Sequence, residues 1–339
     1  MNAKNKLFLF NTLIKYTFII SSLLTLSCED NERIYRPDLS EKLCCVGIID
    51  IDDSTLRYIS FEKSFQSEYA DDINDSLRNF SFSISNLSSE IFHYQCDSTI
   101  KELHDFKIPG NIIFNPREKY FLSASENEIY EISAEIEASS SPSNPILISY
   151  DAFNTILNEP IGCNNIFDVR TVRIKFSFQI DVNLNYAIFL EGWGTSFSSA
   201  GPKWPGYMDF TVVDCNIPGF LSPVYGLRTY HFPCNIKLDP TYAFFVQGKN
   251  ASDSKCVLTI SVQYRDGFSI FDSFKAIGIK LISIPPELYA FEKSLYTYSK
   301  VVDDPFSEPI YINGNIKGGI GVFAICRSKE LKVTFPDWI

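Results

Sequence analysis

Two stretches of this chain alternate apolar and polar side chains with almost no interruption. Val172, Ile174, Phe176, Phe178 and Ile180 make one series, and Leu258, Ile260, Val262 and Tyr264 make the other. A two-residue period puts every apolar side chain on one face of an extended strand. Such a face must be covered by a second layer, so a single open sheet is excluded. Phe80, Phe82 and Ile84 repeat the pattern against Ser81, Ser83 and Ser85.

Further short runs rich in Ile, Phe, Tyr and Val fall at 46–51, 90–94, 111–114, 120–124, 145–149, 186–190 and 242–246. Asn, Asp, Pro and Gly separate them, as turns between antiparallel strands require. One stretch breaks the period. In 286–298, Leu288, Phe291, Leu295 and Tyr298 recur at helical spacing, Pro286 suits a first turn, and Glu287 suits the positive end of the helix dipole. The segment 138–145 holds small and polar residues with Pro142 and Pro145, and reads as a linker. The expected fold is mainly β, with two antiparallel β-sandwich domains. An Ig-like one spans 41–138, and a second spans 146–339 after a linker at 139–145, carrying one amphipathic helix near 286–300.

The N-terminus precedes the first strand signal and sets location. Lys4, Lys6 and Lys15 are followed by an apolar run over 16–27, then by Cys28 and the acidic pair Glu29 and Asp30. This is the layout of a lipoprotein signal peptide, with 1–27 removed and Cys28 lipidated. The run falls short of the ~20 apolar residues that a spanning helix needs. Acyl chains at about 0.8 kcal/mol per buried CH2 would anchor the mature chain instead, with 28–40 as a polar tether.

A formal charge of -11 argues against a polyanion, so no nucleic-acid partner is expected. Hydrophobic residues at 45% against 21% charged ones exclude a chain disordered through low hydrophobicity. Of nine cysteines, lipidation of Cys28 leaves Cys44, Cys45, Cys96, Cys163, Cys215, Cys234, Cys256 and Cys326. Eight cysteines in an exported chain permit disulfides in roughly a hundred pairings, and sequence does not choose among them.

The motifs of chemistry are absent: there is no G-x-S-x-G elbow, phosphate loop, H-E-x-x-H or calcium loop. His93, Cys96 and His104 are grouped but lack a zinc-ligand spacing, so neither a metal nor a cofactor is expected. Adjacent carboxylates at Asp52 and Asp53, Asp71 and Asp72, and Asp303 and Asp304 read as solvated turns rather than acid/base pairs. Trp193, between Gly192 and Gly194, precedes Trp204 and Tyr207 in an aromatic, glycine-rich loop. These three are the candidate contacts for a partner or ligand, since exposed aromatics offer large area at low entropy cost.

Near the C-terminus, Tyr289, Phe291, Ser294 and Tyr296 lead into Pro305 and Phe306, Glu308 and Pro309, and then Asn315, Ile316, Gly318, Gly319, Ile320, Gly321, Phe323 and Ala324. Together they resemble the C-terminal signature of the domain of unknown function 4249 family, outer-membrane lipoproteins of the Bacteroidota type. Glu29 and Asp30 resemble that group's export signal, and Asp53-Ser-Thr55, Asp75-Ser-Leu77 and Asp97-Ser-Thr99 resemble its O-glycosylation sequon. The resemblance implies a place at the cell surface beside a TonB-dependent receptor, and supplies no catalytic residue. The expected function is a non-enzymatic surface lipoprotein that helps a TonB-dependent transporter capture a ligand. A structural or adhesive surface module is the alternative. The C-terminal motif itself is expected to be architectural, with Phe306, Ile316, Ile320, Val322 and Phe323 at least partly buried by the helix and Gly318 and Gly319 permitting the turn into a final strand.

Overall fold

The computed structural model describes residues 42–54, 56–64, 77–97, 104–127, 129–157, 167–194, 208–223, 242–265, 274–301 and 311–334. Strands in the first half are β1 (Lys42–Asp50), β2 (Arg57–Ser64), β3 (Phe80–Asn86), β4 (Glu90–Cys96), β5 (His104–Lys107), β6 (Lys119–Glu126) and β7 (Tyr130–Glu137). Next come β8 (Ile146–Leu157), β9 (Phe167–Gln179), β10 (Asn185–Gly194), β11 (Met208–Cys215), β12 (Gly219–Pro223) and β13 (Tyr242–Gln247). The last elements are β14 (Lys255–Arg265), β15 (Phe274–Ile284), helix α1 (Pro286–Val301) and β16 (Ile320–Thr334). The chain is mainly β, and α1 is the one α-helix among the described residues. None of the described helices is long and apolar enough to cross a membrane.

Three sheets result. One is eight-stranded in the order β12-β13-β10-β15-β16-β1-β2-β5, and two are four-stranded, β11-β14-β9-β8 and β4-β3-β6-β7. The pivot is β16, fifteen residues long. Its first half pairs in parallel with β1, from Cys44 opposite Ile320 to Asp50 opposite Cys326. Its second half pairs antiparallel with β15, from Ser283 opposite Arg327 to Ala276 opposite Thr334. The boundary read at 139–145 therefore does not divide the sheets, because strands from both sides of it form one sheet.

Alternation along β16 distributes three cores. Phe323 and Ile325 join Cys45, Ile49, Phe61, Phe80 and Phe82 beneath the β3-containing sheet. Further along the same face, Val333 joins Ile279, Leu281, Phe176 and Leu258 beneath the β9-containing sheet. Val322, Ala324 and Cys326 face the other way, toward Leu288, Tyr289 and Phe291 of α1. Each large buried side chain contributes about 1.5–3 kcal/mol. Both small sheets thus cover one face of the shared sheet, and the helix covers the other.

Phe323 accordingly lies under the first small sheet rather than under the helix, and Ile320 remains 40% exposed. Phe306 lies outside the described residues. Gly318 and Gly321 adopt positive φ of 78° and 121°, in the region L side chains avoid, which fits the expected turn. The helix runs to Val301, with Leu288 and Phe291 buried as its spacing predicts and Tyr298 exposed.

The segment 138–145 is no loose linker. Ala138, Ser139, Pro142 and Pro145 are buried. The Ser139 N–H donates to the Ile325 carbonyl at 3.0 Å. Ser283 Oγ donates to the Ser140 carbonyl, and Ser143 Oγ accepts from the Gln179 N–H at 2.8 Å. The run at 111–114 forms no strand. Its carbonyls are engaged by a side chain instead of a neighbouring strand: Arg57 Nη1 donates to the Ile112 oxygen at 2.9 Å.

Candidate functional site

Strand order brings the ends of several strands to one side. In the β9-containing sheet, Leu157 pairs with Phe167, Val169 with Arg265, and Met208 with Tyr264, all at one end. In the facing sheet Gly194 pairs with Phe274, Pro223 with Tyr242, and Ala276 with Thr334 at the corresponding end. The described strands that flank 158–166, 195–207, 224–241 and 266–273 therefore end there, as does β16 at Thr334. Trp193 is the penultimate residue of β10 at this end, while Trp204 and Trp338 lie outside the described residues.

The opposite end is closed by short, tightly bonded turns. Tyr186 Oη accepts from the Asp181 N–H at 2.9 Å, the Gly248 N–H donates to the Leu184 carbonyl at 2.9 Å, and the Ile180 N–H donates to the Ser254 carbonyl at 2.8 Å. A Cβ at Gly248 would fall on the Asp181 and Leu184 carbonyls, so only glycine fits this crossing. Burial raises the Tyr186 phenol above its ordinary value, and the hydroxyl serves as a neutral anchor.

Of the residues singled out by sequence, Trp193 has a described backbone, opposite Ala276 in β15 and beside a register shift at Gly194. Such a bulge bends a strand and re-aims the side chains beyond it. Trp204, Tyr207 and Cys28 lie outside the described residues. Sequence reading missed that Pro223, Tyr242 and Thr334 end their strands on the same side as Trp193. Only the pairing of β11, β12 and β15 reveals that neighbourhood.

A second polar feature sits where the two halves of the shared sheet meet. Asp50, 1% exposed, ends β1, and Lys280 Nζ from β15 lies 3.5 Å from its carboxylate while also contacting Asp53. Arg327 of β16 donates to both oxygens of Asp52, at 2.7 Å and 2.9 Å. Arg57 donates to the Asp50 and Ile51 carbonyls at 3.1 Å and 2.7 Å. The adjacent pair Asp52 and Asp53 is thus no solvated turn: each carboxylate meets a cation from the far half of the chain. Burial raises the Asp50 carboxyl above the usual range despite the pull of Lys280. Burial pushes Asp52 the same way, but the Arg327 hydrogen bonds and charge overcome it and hold that carboxyl low. Every cation here has a committed anion or carbonyl, so the cluster works as an electrostatic seam between β1, β15 and β16 rather than as an acid/base pair.

Among the described residues, no group of His, Cys, Asp or Glu is placed to hold a metal ion. His93 lies 3.6 Å from Glu90 on an exposed strand.

The family profile described as "Domain of unknown function (DUF4249)" matches residues 88–332. No curated protein matches the chain. Among solved structures, an alfa-L-rhamnosidase from Aspergillus terreus is 7% identical with a TM-score of 0.29, covering 72% of this chain and 27% of that one. The chain thus spans about a quarter of that enzyme's length. The major pilin RrgB from Streptococcus pneumoniae is 10% identical with a TM-score of 0.17, covering 67% of this chain and 44% of the pilin. A carbohydrate-binding module of the β-sandwich superfamily is 11% identical with a TM-score of 0.17, covering 68% of this chain and 94% of the module. Likenesses this slight carry no argument about function.

Proposed function

The chain belongs to the DUF4249 family, and from that premise we propose that it is a cell-surface lipoprotein that captures a ligand for, or docks against, a TonB-dependent outer-membrane transporter. Cys28 carries the lipid, and recognition lies at the end of the second sandwich that bears Trp193, Trp204, Tyr207 and Trp338. One observation carries this reading: the described strands that flank four long stretches of chain, Trp193 among their residues, all end on one side, while short bonded turns close the other. Loops held by a rigid sheet are where binding residues concentrate, and tryptophan and tyrosine are enriched among those that dominate interfaces.

The test is affinity purification of the full chain from its native membrane, together with uptake in cells lacking it. Co-purification of a transporter, reduced by Trp204→Ala or Trp338→Ala in protein that keeps its melting temperature, supports the reading. Absence of any transporter together with unchanged nutrient uptake on deletion would overturn it.

A further inference from the structure

The geometry points to a disulfide between Cys215 and Cys256, an intrasheet cross-link that staples β11 to β14 beside the closed end of the second sandwich. Their sulfurs lie 3.8 Å apart. Two local features bring them there. Val212 pairs with Ile260, but Asp214 then pairs with Thr259, so β11 carries one extra residue. A one-residue shift reverses every later side chain. Val213 is left 49% exposed, and Cys215 turns onto the core face, opposite Leu258 and diagonal to Cys256. Without the bulge, Cys215 would point away from its partner.

The second feature is the Asn216 side chain, which grips the backbone on both sides of Cys256. Its Nδ2 donates to the Lys255 carbonyl at 2.9 Å, and its Oδ1 accepts from the Val257 N–H at 2.8 Å. Both cysteines are thereby held in register before any bond forms. Closure needs the sulfurs to approach to about 2.0 Å.

Cys256 is fully buried, whereas Cys215 is partly exposed, which sets the order of events. The hydrogen bond from Cys256 holds the Cys215 thiol below its ordinary range, and that same bond, with burial, holds Cys256 above. The Cys215 thiolate attacks one sulfur of an external disulfide, such as oxidised glutathione or the active site of a disulfide-donating oxidoreductase. That S–S bond breaks, one donor thiol leaves, and a mixed disulfide stands at Cys215. Cys256 then attacks Cys215 Sγ, and its proton goes to the second donor thiol. Two protein thiols lose two electrons and two protons, and the donor disulfide becomes two thiols.

The test equilibrates the folded full-length protein in a glutathione buffer poised as in an oxidising compartment. Free thiols are then alkylated, and the unreduced digest is mapped by mass spectrometry. A peptide pair joining Cys215 to Cys256, lighter than its separate parts by two hydrogens, is expected. Reduction of that bond in the folded protein should lower the melting temperature by about 5 °C. Cys215→Ser should leave Cys256 alkylated, and only on denaturation. Recovery of both cysteines alkylated in wild-type protein, or of either one bridged to Cys163, Cys234 or any other cysteine, would overturn the assignment.

Discussion

The side-chain amide of Asn315 lies edge-on against the backbone of Phe323: Oδ1 accepts from the Phe323 N–H at 2.8 Å, and Nδ2 donates to the Phe323 carbonyl at 2.8 Å. It thereby stands in for a neighbouring strand along the part of β16 that β15 does not reach. Asn315→Ala removes both partners at once. The expected loss is about 1–3 kcal/mol in urea denaturation, because backbone groups at this buried edge lose their hydrogen bonds. A change below about 0.5 kcal/mol would mean that water satisfies the edge equally well.

Gly321 marks a tight approach on the other side of the same strand, toward β1. Its φ of 121° disfavours any L side chain, and a Cβ there would fall on the Cys45 carbonyl of β1. Gly321→Ala should therefore cost at least about 2 kcal/mol and loosen the parallel pairing of β1 with β16. Gly110→Ala, where the nearest atom would be Ser54 Cβ at 3.5 Å, serves as the permissive control. Equal melting temperatures for the two variants would refute the claim.

Phe323 is fully buried among Phe61, Phe82 and Ile132. Truncation to alanine should cost about 3–5 kcal/mol through lost transfer energy and the cavity left behind. On the proposed surface location, abundance there should fall with thermal stability, and binding should fall only with the folded fraction. A stable Phe323→Ala protein that no longer binds would instead put recognition at this motif.

The seam predicts opposite responses to acid at neighbouring carboxylates. Asp52 is held low in the folded protein, so its contribution is complete above the unfolded value of about 3.9 and disappears as pH falls through the lower folded value. Asp52→Asn should then cost about 1 kcal/mol or less at neutral pH, since the pair is partly solvated, and progressively less as pH falls below the unfolded value. Asp50 is held high, so its contribution is complete below the unfolded value and is lost as pH rises through the folded one. Asp50→Asn should leave neutral-pH stability unchanged or raised. Denaturation curves at several pH values check both signs, and parallel pH profiles for the two variants would contradict them.

Lipidation is tested apart from the fold. If Cys28 carries the lipid as proposed, Cys28→Ala should abolish fatty-acid labelling and move the protein to the soluble fraction. Continued membrane association without label would point to an uncleaved signal or a tightly held partner.

Strands covered on one face were legible in the sequence, and strands covered on both were not. Phe80, Phe82 and Ile84, and Val172 to Ile180 in steps of two, alternate because solvent meets their other face. In β15, by contrast, Ile277, Ile279 and Leu281 enter one core while Ile282 and Ile284 enter another, so the strand shows no clean period. The spacing over 286–298 revealed the helix for the same reason that α1 has a solvated side. Long-range partners stayed hidden. Asp52 looked solvated because Arg327 lies 275 residues away, and Asp53 because Lys280 lies 227 away. Trp193 stood out by composition, but that its strand ends beside those of β12, β13 and β16 follows only from strand order.

Placing β1 and β16 side by side has a consequence for how the protein is made. The first described strand to leave the ribosome waits for the last, and the central sheet cannot close while that last strand is missing. Such distant pairing slows folding, because loop closure must precede the contacts that reward it. A chain cut short before Ile320 would leave β1 and β15 each with a bare edge, the kind of unpaired strand that templates aggregation.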